Sequence, residues 1–220
     1  MAEEIQFTGN SHNCCICFVD VVDSTRITTV EIANSEKIKR YYSIFINTMA
    51  AIVRNSGANI IKNTGDSLIY YFPRTSDPTH ISAFKGVIEC GLTMIAVNPI
   101  INAKLQEDLL PLLYYRISAD YGRVGVAKSL TSTTEDLFGR TVSICSKINS
   151  KASPNGMVIG EDLYQIVKPP FENDYLFNEV DEYSIDNNFK HHYPVYCVAN
   201  SNNNNKNNND TLNLYRKIIS

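Results

Sequence analysis

The fold is decided by Cys14-Cys15-Ile16-Cys17-Phe18-Val19-Asp20-Val21-Val22, a nearly continuous run of cysteine, aromatic and β-branched residues that contains one carboxylate. Such a run predicts a strand buried on both faces, because successive side chains of a strand point to opposite sides of the sheet. A strand of this kind belongs at the centre of a sheet. Asp20 stands near its end, where a carboxylate packs poorly but can bind a hard cation such as Mg²⁺ or Mn²⁺.

The first helix is predicted between Ser35 and Asn55. Apolar residues recur there at intervals of three and four, which is the spacing of a helix that buries one face. Asn34 or Ser35 is suited to cap its start, and Gly57 is suited to end it, because Gly adopts positive φ at little cost. We expect this helix to pack on the sheet.

A β-hairpin follows, with two extended runs at 58–62 and 67–72 around the turn Asn63-Thr64-Gly65. Asn and Gly tolerate the positive φ that a tight turn requires. Asp66 comes directly after this turn, so a second carboxylate lies beside a strand end. Asp20 and Asp66 together resemble a metal-binding pair. The alternative is structural: Asp20 caps the start of a helix, and Asp66 simply fills the turn.

The remaining patterns complete an α/β fold. They predict, in chain order, a helix from 81 to Pro99, a strand over 114–126 with a break at Gly122, a polar loop over 131–135, a helix from about 139 to 152, a short strand over 157–160, and one or two edge strands in 175–199 around a polar turn at 186–188. This order predicts an α+β sandwich with a mixed or antiparallel sheet, helices packed on it and a ferredoxin-like core.

The chain divides into one domain with short ends. We expect an N-terminal extension over 1–13, a single domain over 14–199, an Asn-rich linker over 200–210 and a tail over 211–220. The linker has no apolar residues with which to form a core and is predicted to be disordered. The tail carries leucine, isoleucine and tyrosine, and both a short docking helix and a frayed terminus are compatible with it.

Composition narrows the possible partners and the compartment. With 220 residues, of which 44% are hydrophobic, the chain can bury an ordinary globular core. The formal net charge of -3 makes nucleic acid an unexpected partner, because binding to phosphate backbones needs a basic surface. The start of the chain is acidic where a signal peptide is basic, and no apolar run of about 18 residues predicts a membrane span. The six cysteines stand mostly in apolar patterns, which indicates a reducing compartment and predicts a cytoplasmic location.

Four motifs carry a family resemblance. In chain order they are Phe18–Thr25 around Asp20, Lys62–Asp66, Tyr115–Val124, and Phe138–Ser143. Each motif is weak alone, but four in order along one domain form a fairly specific signal. Over roughly residues 14–165 the chain resembles the catalytic domain of class III adenylate/guanylate cyclases.

The resemblance implies a two-metal site for a nucleoside triphosphate. It assigns Asp20, Val21 and Asp66 to the binding of two divalent ions, Mg²⁺ or Mn²⁺. The implied reaction is the attack of the ribose 3′-hydroxyl on the α-phosphorus, with pyrophosphate as the leaving group. Two metals can lower the pKa of that hydroxyl and neutralise the leaving group.

Further positions are implied to bind the triphosphate. The backbone N–H groups of Val22, Asp23, Ser24 and Thr25 would surround the β- and γ-phosphates at the start of a predicted helix, with help from the helix dipole. Arg123 matches a family position that contacts the triphosphate. Its alternative is an exposed arginine on a strand.

The implied base-reading pair is Lys62 and Asp136, which in adenylate-type members contact the purine from the partner subunit and favour ATP over GTP. Solvated surface charges are the alternative for both residues. Two positions depart from the family pattern, because Ser143 stands where an Asn usually orients the ribose and Lys147 stands where an Arg usually stabilises the transition state. A lysine cannot form the bidentate fork of a guanidinium. We therefore expect weak or metal-demanding activity, or a different base preference, unless both residues only form a solvated helix face.

The leading hypothesis is an enzyme, a homodimeric cyclase of the lyase class that makes cyclic AMP from ATP for signal transduction. Two identical sites would lie at the subunit interface, because each needs residues from both chains. One alternative is a cyclase that uses another nucleotide, GTP or a pyrimidine. Another is a degenerate domain that binds nucleotide or a partner without turnover. A diguanylate-cyclase-like enzyme is disfavoured, because Thr64-Gly65-Asp66-Ser67 lacks the turn sequence of that family.

Overall fold

The sheet is the centre of the structure, a computed structural model that describes residues 5–32, 34–129, 135–184, 192–201 and 215. Its strands are β1 (Ile5–Val21), β2 (Asn59–Asn63), β3 (Ser67–Phe72), β4 (Tyr115–Ser129), β5 (Glu135–Phe138), β6 (Gly156–Gly160), β7 (Tyr175–Ser184) and β8 (His192–Asn200). The helices are α1 (Ser24–Arg26), α2 (Ser35–Asn55), α3 (Ile81–Glu107), α4 (Arg140–Ile148) and α5 (Glu161–Phe171). A π-helical segment, Ile27–Glu31, continues α1, and 3₁₀ turns lie at Pro73–Ser76 and Asn149–Lys151.

The described strands form one mixed sheet in the order β2-β3-β1-β4-β6-β8-β7, and β5 pairs with β4 outside this path. Only β4 and β6 pair in parallel among these neighbours, and the other pairs are antiparallel. The mixed α/β architecture predicted from the sequence is therefore confirmed. The strand β1 lies near the middle of the sheet, between β3 and β4.

The alternating side chains of β1 enter different cores. Cys15, Cys17 and Val19 belong to the main core, which also contains the buried faces of α2, α3 and α5. Cys14 and Ile16 belong to a smaller cluster on the opposite face, together with Cys145 of α4. Burial on both faces explains why the sequence of this strand is apolar almost throughout. The strand begins at Ile5, so most of the segment predicted as an N-terminal extension pairs with β4.

The helix α2 begins and ends where the sequence predicts. The side chain of Asn34 accepts hydrogen bonds from the N–H groups of Glu36 and Lys37, and Gly57 beyond the C-terminus has a φ of 75°. All six cysteines are free thiols, five of them buried, as expected for cysteines that act as small apolar residues.

Three elements differ from the sequence prediction. The helix predicted to end at Pro99 continues to Glu107, because the residues beyond the proline bury apolar side chains such as Ile101 and Leu105 in the main core. The helix α5 is not predicted from the sequence, since Pro169 and Pro170 stand in it; they lie in its last turn, after Leu163 and Val167 have entered the core. Finally, β7 is an edge strand but β8 is an inner one.

The break predicted at Gly122 also differs, and the loop predicted over 131–135 can be compared only at Glu135. Gly122 lies within β4 and allows close approach of α4, since a Cβ there would come within 2.6 Å of the Thr141 hydroxyl. Glu135 begins β5, and 130–134 lie outside the described residues, as does the polar turn predicted at 186–188.

The helix α3 is long and apolar enough to cross a membrane by length and composition, and it is the one such helix among the described residues. Half of its apolar window is buried inside the protein, where it packs in the main core. Burial of this kind is what a core helix requires.

The C-terminal segment is described only at Ser201 and Tyr215, so the predicted disorder of the Asn-rich linker lies outside the described residues. Tyr215 is buried in the main core. Of the two possibilities for the tail, this residue supports docking.

Candidate active site

Asp20 and Asp66 come together where three chain segments meet. Asp20 lies opposite Ser67 in the antiparallel register of β1 and β3, so Asp66 is one residue beyond the pair. The N–H of Val21 donates a hydrogen bond to the carbonyl of Asp66 over 3.0 Å. The turn before Asp66 requires a glycine, since Gly65 has a φ of 94°. The structure thus brings the two predicted metal carboxylates next to each other.

The two carboxylates differ in their surroundings. The pKa of Asp20 is raised to about 6, chiefly by burial and then by the nearby charge of Asp66, while Arg116 opposes the shift. Asp66 accepts a hydrogen bond from the hydroxyl of Ser24 over 2.6 Å at its Oδ2 atom. Two carboxylates that repel each other in a half-buried position are stabilised when a cation binds between them.

The donor set fits a hard divalent cation. Among the described residues no group of three or more His, Cys, Asp and Glu side chains gathers as a metal centre. A set of two carboxylates suits Mg²⁺, which keeps water and substrate phosphates as its other ligands. Val21 can contribute only its carbonyl oxygen, because its side chain is apolar and its N–H is bonded to Asp66.

The segment after Asp20 differs from the predicted phosphate-binding helix start. The N–H of Val22 donates to the carbonyl of Tyr114 over 2.9 Å and is not available to a phosphate. Asp23 adopts a left-handed conformation with a φ of 55°. The α-helical part of the segment, starting at Ser24, is only three residues long before it continues as a π-helix, so its dipole is small.

A cleft of about 600 Å³ opens at this point. It is lined by residues of β1, of the α1 segment and of β4: Asp20, Val21, Asp23, Ser24, Thr25, Arg26, Thr29, Val30 and Arg116. Asp23, Ser24 and Thr25 thus remain candidates for substrate binding.

Arg116 is a candidate site residue that the sequence motifs contain but do not mark. It lies directly opposite Asp20 in the register of β1 and β4, and its Nε atom is buried without a hydrogen-bond partner among the described residues. Its position within the third motif was the available signal, because antiparallel pairing of that motif with the first brings it beside Asp20. Arg123, by contrast, lies further along β4. It is separated from Arg116 by roughly 23 Å, at a rise of about 3.3 Å per residue. Its Nε donates to the Ser11 hydroxyl over 2.8 Å, and the structure does not bring it to Asp20 within one chain.

Lys62 and Asp136 are exposed, and their strands come together. β2 contacts β5, and the side chains next to the two charges, Ile61 and Leu137, pack against one small apolar cluster. The structure therefore brings the segments of the proposed base-reading pair to one place on the sheet.

Ser143 and Lys147 lie one turn apart on the exposed side of α4, whose other side packs Ile144, Cys145 and Ile148 on the sheet. Within the described part of the chain, no hydrogen bond or ion pair joins Lys62, Asp136, Ser143 or Lys147 to the two aspartates. The predicted site residues thus fall into two groups, one around Asp20 and one comprising the β2–β5 pair and α4.

Comparison with known families decides the identity of the fold. The family model of the adenylate and guanylate cyclase catalytic domain matches residues 8–200. The chain belongs to this cyclase family. A comparison with curated proteins found no significant match.

Solved structures of cyclases share the fold of this cyclase domain. The guanylyl cyclase Cya2 matches with a TM-score of 0.75 and 17% identity, over 90% of this chain and 97% of its own. The adenylyl cyclase CyaB from P. aeruginosa matches with the same TM-score, identity and coverage. The guanylate cyclase domain of RhGC from Catenaria anguillulae, in complex with GTP, matches with a TM-score of 0.68 and 16% identity, over 87% of this chain and 99% of its own. Adenylyl and guanylyl cyclases match equally well, so the fold does not distinguish the two bases.

Proposed function

We propose that this cyclase-family chain converts ATP to 3′,5′-cyclic AMP and pyrophosphate, as a homodimer that uses two divalent ions, Mg²⁺ or Mn²⁺. The observation that carries the proposal is that Asp20 and Asp66 lie side by side and that Asp20 lines a cleft, in a chain of the cyclase family. A metal-free role gives no reason to keep two mutually repelling carboxylates side by side.

Asp20 and Asp66 would hold the ions, together with the carbonyl of Val21. When bound, two divalent ions lower the pKa of the attacking 3′-hydroxyl and stabilise the charge on the leaving pyrophosphate. Arg116 lines the same cleft, and its guanidinium offers paired N–H donors to phosphate oxygens. The N–H groups of Ser24 and Thr25 belong to a first helical turn, where N–H groups lack acceptors within the helix.

The preference for ATP rests on Lys62 and Asp136. The ammonium of Lys62 can donate to a purine ring nitrogen, and the carboxylate of Asp136 can accept from the exocyclic amine of adenine. Guanine carries a carbonyl at the position of that amine, and a carboxylate repels it. The contact between β2 and β5 supports the joint action of the two residues.

The homodimer is supported by the separation of the two groups of site residues. Lys62, Asp136, Ser143 and Lys147 of a second copy would complete the site around Asp20 and Asp66 of the first. The sheet face that carries α4 also leaves apolar surface available, since Phe18 and Tyr71 are only partly buried. A C₂ arrangement of two copies would cover this surface and form two equal sites.

The test is to incubate the purified protein with each of the four ribonucleoside triphosphates and Mn²⁺, and to identify cyclic products by mass spectrometry. We expect cyclic AMP from the unchanged protein and none from Asp66→Ala. Asp77→Ala is the matched control, because it removes an exposed turn carboxylate far from the cleft and should keep its activity.

Other outcomes would contradict distinct parts of the proposal. Cyclic AMP from a normally folded Asp66→Ala would remove the metal role of that residue. A different cyclic product would show that the protein prefers a nucleotide other than ATP. The absence of any product, at concentrations where light scattering shows a dimer, would favour a domain that binds nucleotide without turnover.

A further inference from the structure

Lys147 has no support at its charged end. Its side chain is exposed, and among the described residues its ammonium makes no hydrogen bond or ion pair. The placement of this ammonium therefore depends on the helix α4 that carries it. That helix is only nine residues long, and helices of this length are marginally stable on their own. Its position must come from contacts with the sheet.

Buried hydrogen bonds join α4 to β4. Ser118 of β4 is fully buried, and its hydroxyl donates to the carbonyl of Cys145 over 2.8 Å. At the end of the helix, the side-chain amide of Asn149 donates to the Ser118 hydroxyl over 3.2 Å and to the Arg116 carbonyl over 3.3 Å. Ser118 and Asn149 together form the α4 clamp. The clamp ties the helix to the strand whose Arg116 lines the cleft.

The number of protons leaves the α4 clamp one arrangement. The Ser118 hydroxyl has one proton, which goes to Cys145, so it can only accept from Asn149. The amide of Asn149 has two N–H groups, and the two acceptors use both. If this amide were turned over, its oxygen would face the Arg116 carbonyl oxygen. The clamp therefore specifies the direction of the helix against the strand.

The apolar contacts of α4 do not specify its position to the same degree. Ile144 and Ile148 pack in a small apolar cluster, and attraction between apolar groups is non-directional. A shift of the helix that breaks a buried hydrogen bond, in contrast, leaves a buried polar group unsatisfied. Cys145, which receives the Ser118 bond, stands midway between Ser143 and Lys147. The clamp thus holds the turn that carries both candidate residues.

We propose that Ser118 and Asn149 are positioning residues of the reaction, which hold α4 so that Lys147 reaches the reacting phosphate in the site of a second copy. This inference rests on the proposed function, because it needs a homodimer in which Lys147 of one copy completes the site of the other. The physical basis is alignment, since a displacement of about 1 Å caused by a change far from the chemistry can cost about 100-fold in rate. Both residues are buried and act through the helix.

The first measurement is a double-mutant cycle in steady-state kinetics with ATP and Mn²⁺. We expect Ser118→Ala to lower kcat about tenfold or more and to leave the nucleotide KM unchanged, because Lys147 acts in the transition state. Added to Lys147→Ala, the same change should lower kcat no further, since both remove one contribution. Asn149→Ala keeps the bond from Ser118 to Cys145 and should show the same pattern, so it carries the test if Ser118→Ala folds poorly.

Thr75→Val is the matched control. The Thr75 hydroxyl is also fully buried, accepts from the Cys15 N–H over 2.8 Å and donates to the Phe72 carbonyl over 2.6 Å. Among the described residues it makes no hydrogen bond to α4, so its removal should lower the Tm but leave kcat unchanged. Hydrogen exchange followed by mass spectrometry adds a readout that needs no turnover. The amides of α4 should exchange faster in Ser118→Ala than in the unchanged protein, and Thr75→Val should not change them.

Three results would overturn the proposal and leave the proposed function in place. They are an unchanged kcat in Ser118→Ala and Asn149→Ala, effects that multiply with Lys147→Ala, and a fall in kcat without faster exchange in α4. Absence of any cyclic product from the unchanged protein would overturn both, because Lys147 would have no reaction to serve. A cyclic product other than cyclic AMP, with the expected pattern in the variants, would support the α4 clamp and refute only the preference for ATP.

Discussion

Asp23 is held in a backbone conformation that a side chain disfavours. Its φ of 55° and ψ of 32° are left-handed, and its side chain makes no capping hydrogen bond. This conformation costs a residue with a Cβ roughly 1 kcal/mol, and Asn and Asp tolerate it better than most. Three substitutions of Asp23 separate the backbone strain from the charge, and all three remove the charge. Gly also removes the strain, Ala keeps it, and Asn tolerates the left-handed conformation about as well as Asp does.

The stability series follows from this geometry. We expect Asp23→Gly to be more stable than Asp23→Ala by about 1 kcal/mol, which corresponds to a difference of about 2–4 °C in Tm for a chain of this size. Leu109 provides the matched control outside the site, because its φ is 52° and it is 82% exposed. Leu109→Gly and Leu109→Ala should differ by a similar amount and leave the nucleotide KM unchanged.

The kinetic series tests the charge. Asp23 lines the cleft, so its carboxylate faces the space proposed for the triphosphate. Two like charges at about 4 Å in a water-like medium repel by about 1 kcal/mol, which is roughly fivefold in affinity. Asp23→Asn should therefore lower the KM for the nucleotide about fivefold, and the effect should shrink at high salt.

Thermal unfolding and steady-state kinetics at two salt concentrations complete the test. Equal Tm values for Asp23→Gly and Asp23→Ala would refute the left-handed strain. A KM that rises in Asp23→Asn would show that this carboxylate attracts a cation instead of repelling phosphate.

Three further predictions concern other parts of the protein. Lys147→Arg should raise kcat about tenfold or more, because a guanidinium can form two hydrogen bonds to the reacting phosphate; steady-state rates with Mn²⁺ check this, and an unchanged rate would place Lys147 away from the phosphates. Lys62→Glu combined with Asp136→Cys should shift the preference toward GTP, measured as the ratio of kcat/KM values, because it reverses donor and acceptor at the purine edge; an unchanged ratio would mean that the pair does not contact the base. Burial raises the pKa of Asp120 from 3.8 to about 7 despite its bonds to Tyr193 and a backbone N–H. The stabilising contribution of the protonated Asp120 is therefore complete below about pH 4 and is lost as the pH rises through 7. Asp120→Asn should flatten the fall of Tm between pH 5 and 8. A fall of the same size in this variant would contradict the raised pKa of Asp120.

The central strand and the proximity of Asp20 and Asp66 are predictable from the sequence because their signals are local. The composition of Cys14–Val22 specifies burial on both faces, and the turn before Asp66 has its own chemistry. Asn63 accepts a hydrogen bond from the N–H of Gly65 over 2.8 Å, as an Asn in a tight turn does. The order of the motifs along the chain then predicts that Asp20 and Asp66 are the carboxylates that lie close together.

Other features depend on contacts that no local pattern contains. Pro99 and the Pro169-Pro170 pair are strong local signals against helix, and the burial of side chains around them overrides those signals. The place of Arg116 depends on the register of β1 with β4, which sets a residue opposite Asp20 only once the strands pair. The same register places Arg123 far from the cleft. The N–H of Val22 donates a hydrogen bond to the carbonyl of Tyr114, which is distant in sequence. A search for helix-start patterns cannot detect such a contact.

The two groups of candidate site residues differ in whether contacts within one chain are enough to position them. The carboxylate group is held by contacts within one chain, namely the Val21–Asp66 and Ser24–Asp66 hydrogen bonds and the Arg116–Asp20 pairing across strands. Lys62, Asp136, Ser143 and Lys147 are exposed, and in the proposed function they reach the cleft only when a second copy supplies them. It follows from the proposed function that metal binding should be independent of protein concentration, whereas turnover should rise more steeply than linearly with it until the dimer is complete. A rate per chain that stays constant under dilution to the monomer would place the whole reaction within one chain, and the geometry around α4 would then have to change to bring Lys147 to Asp20.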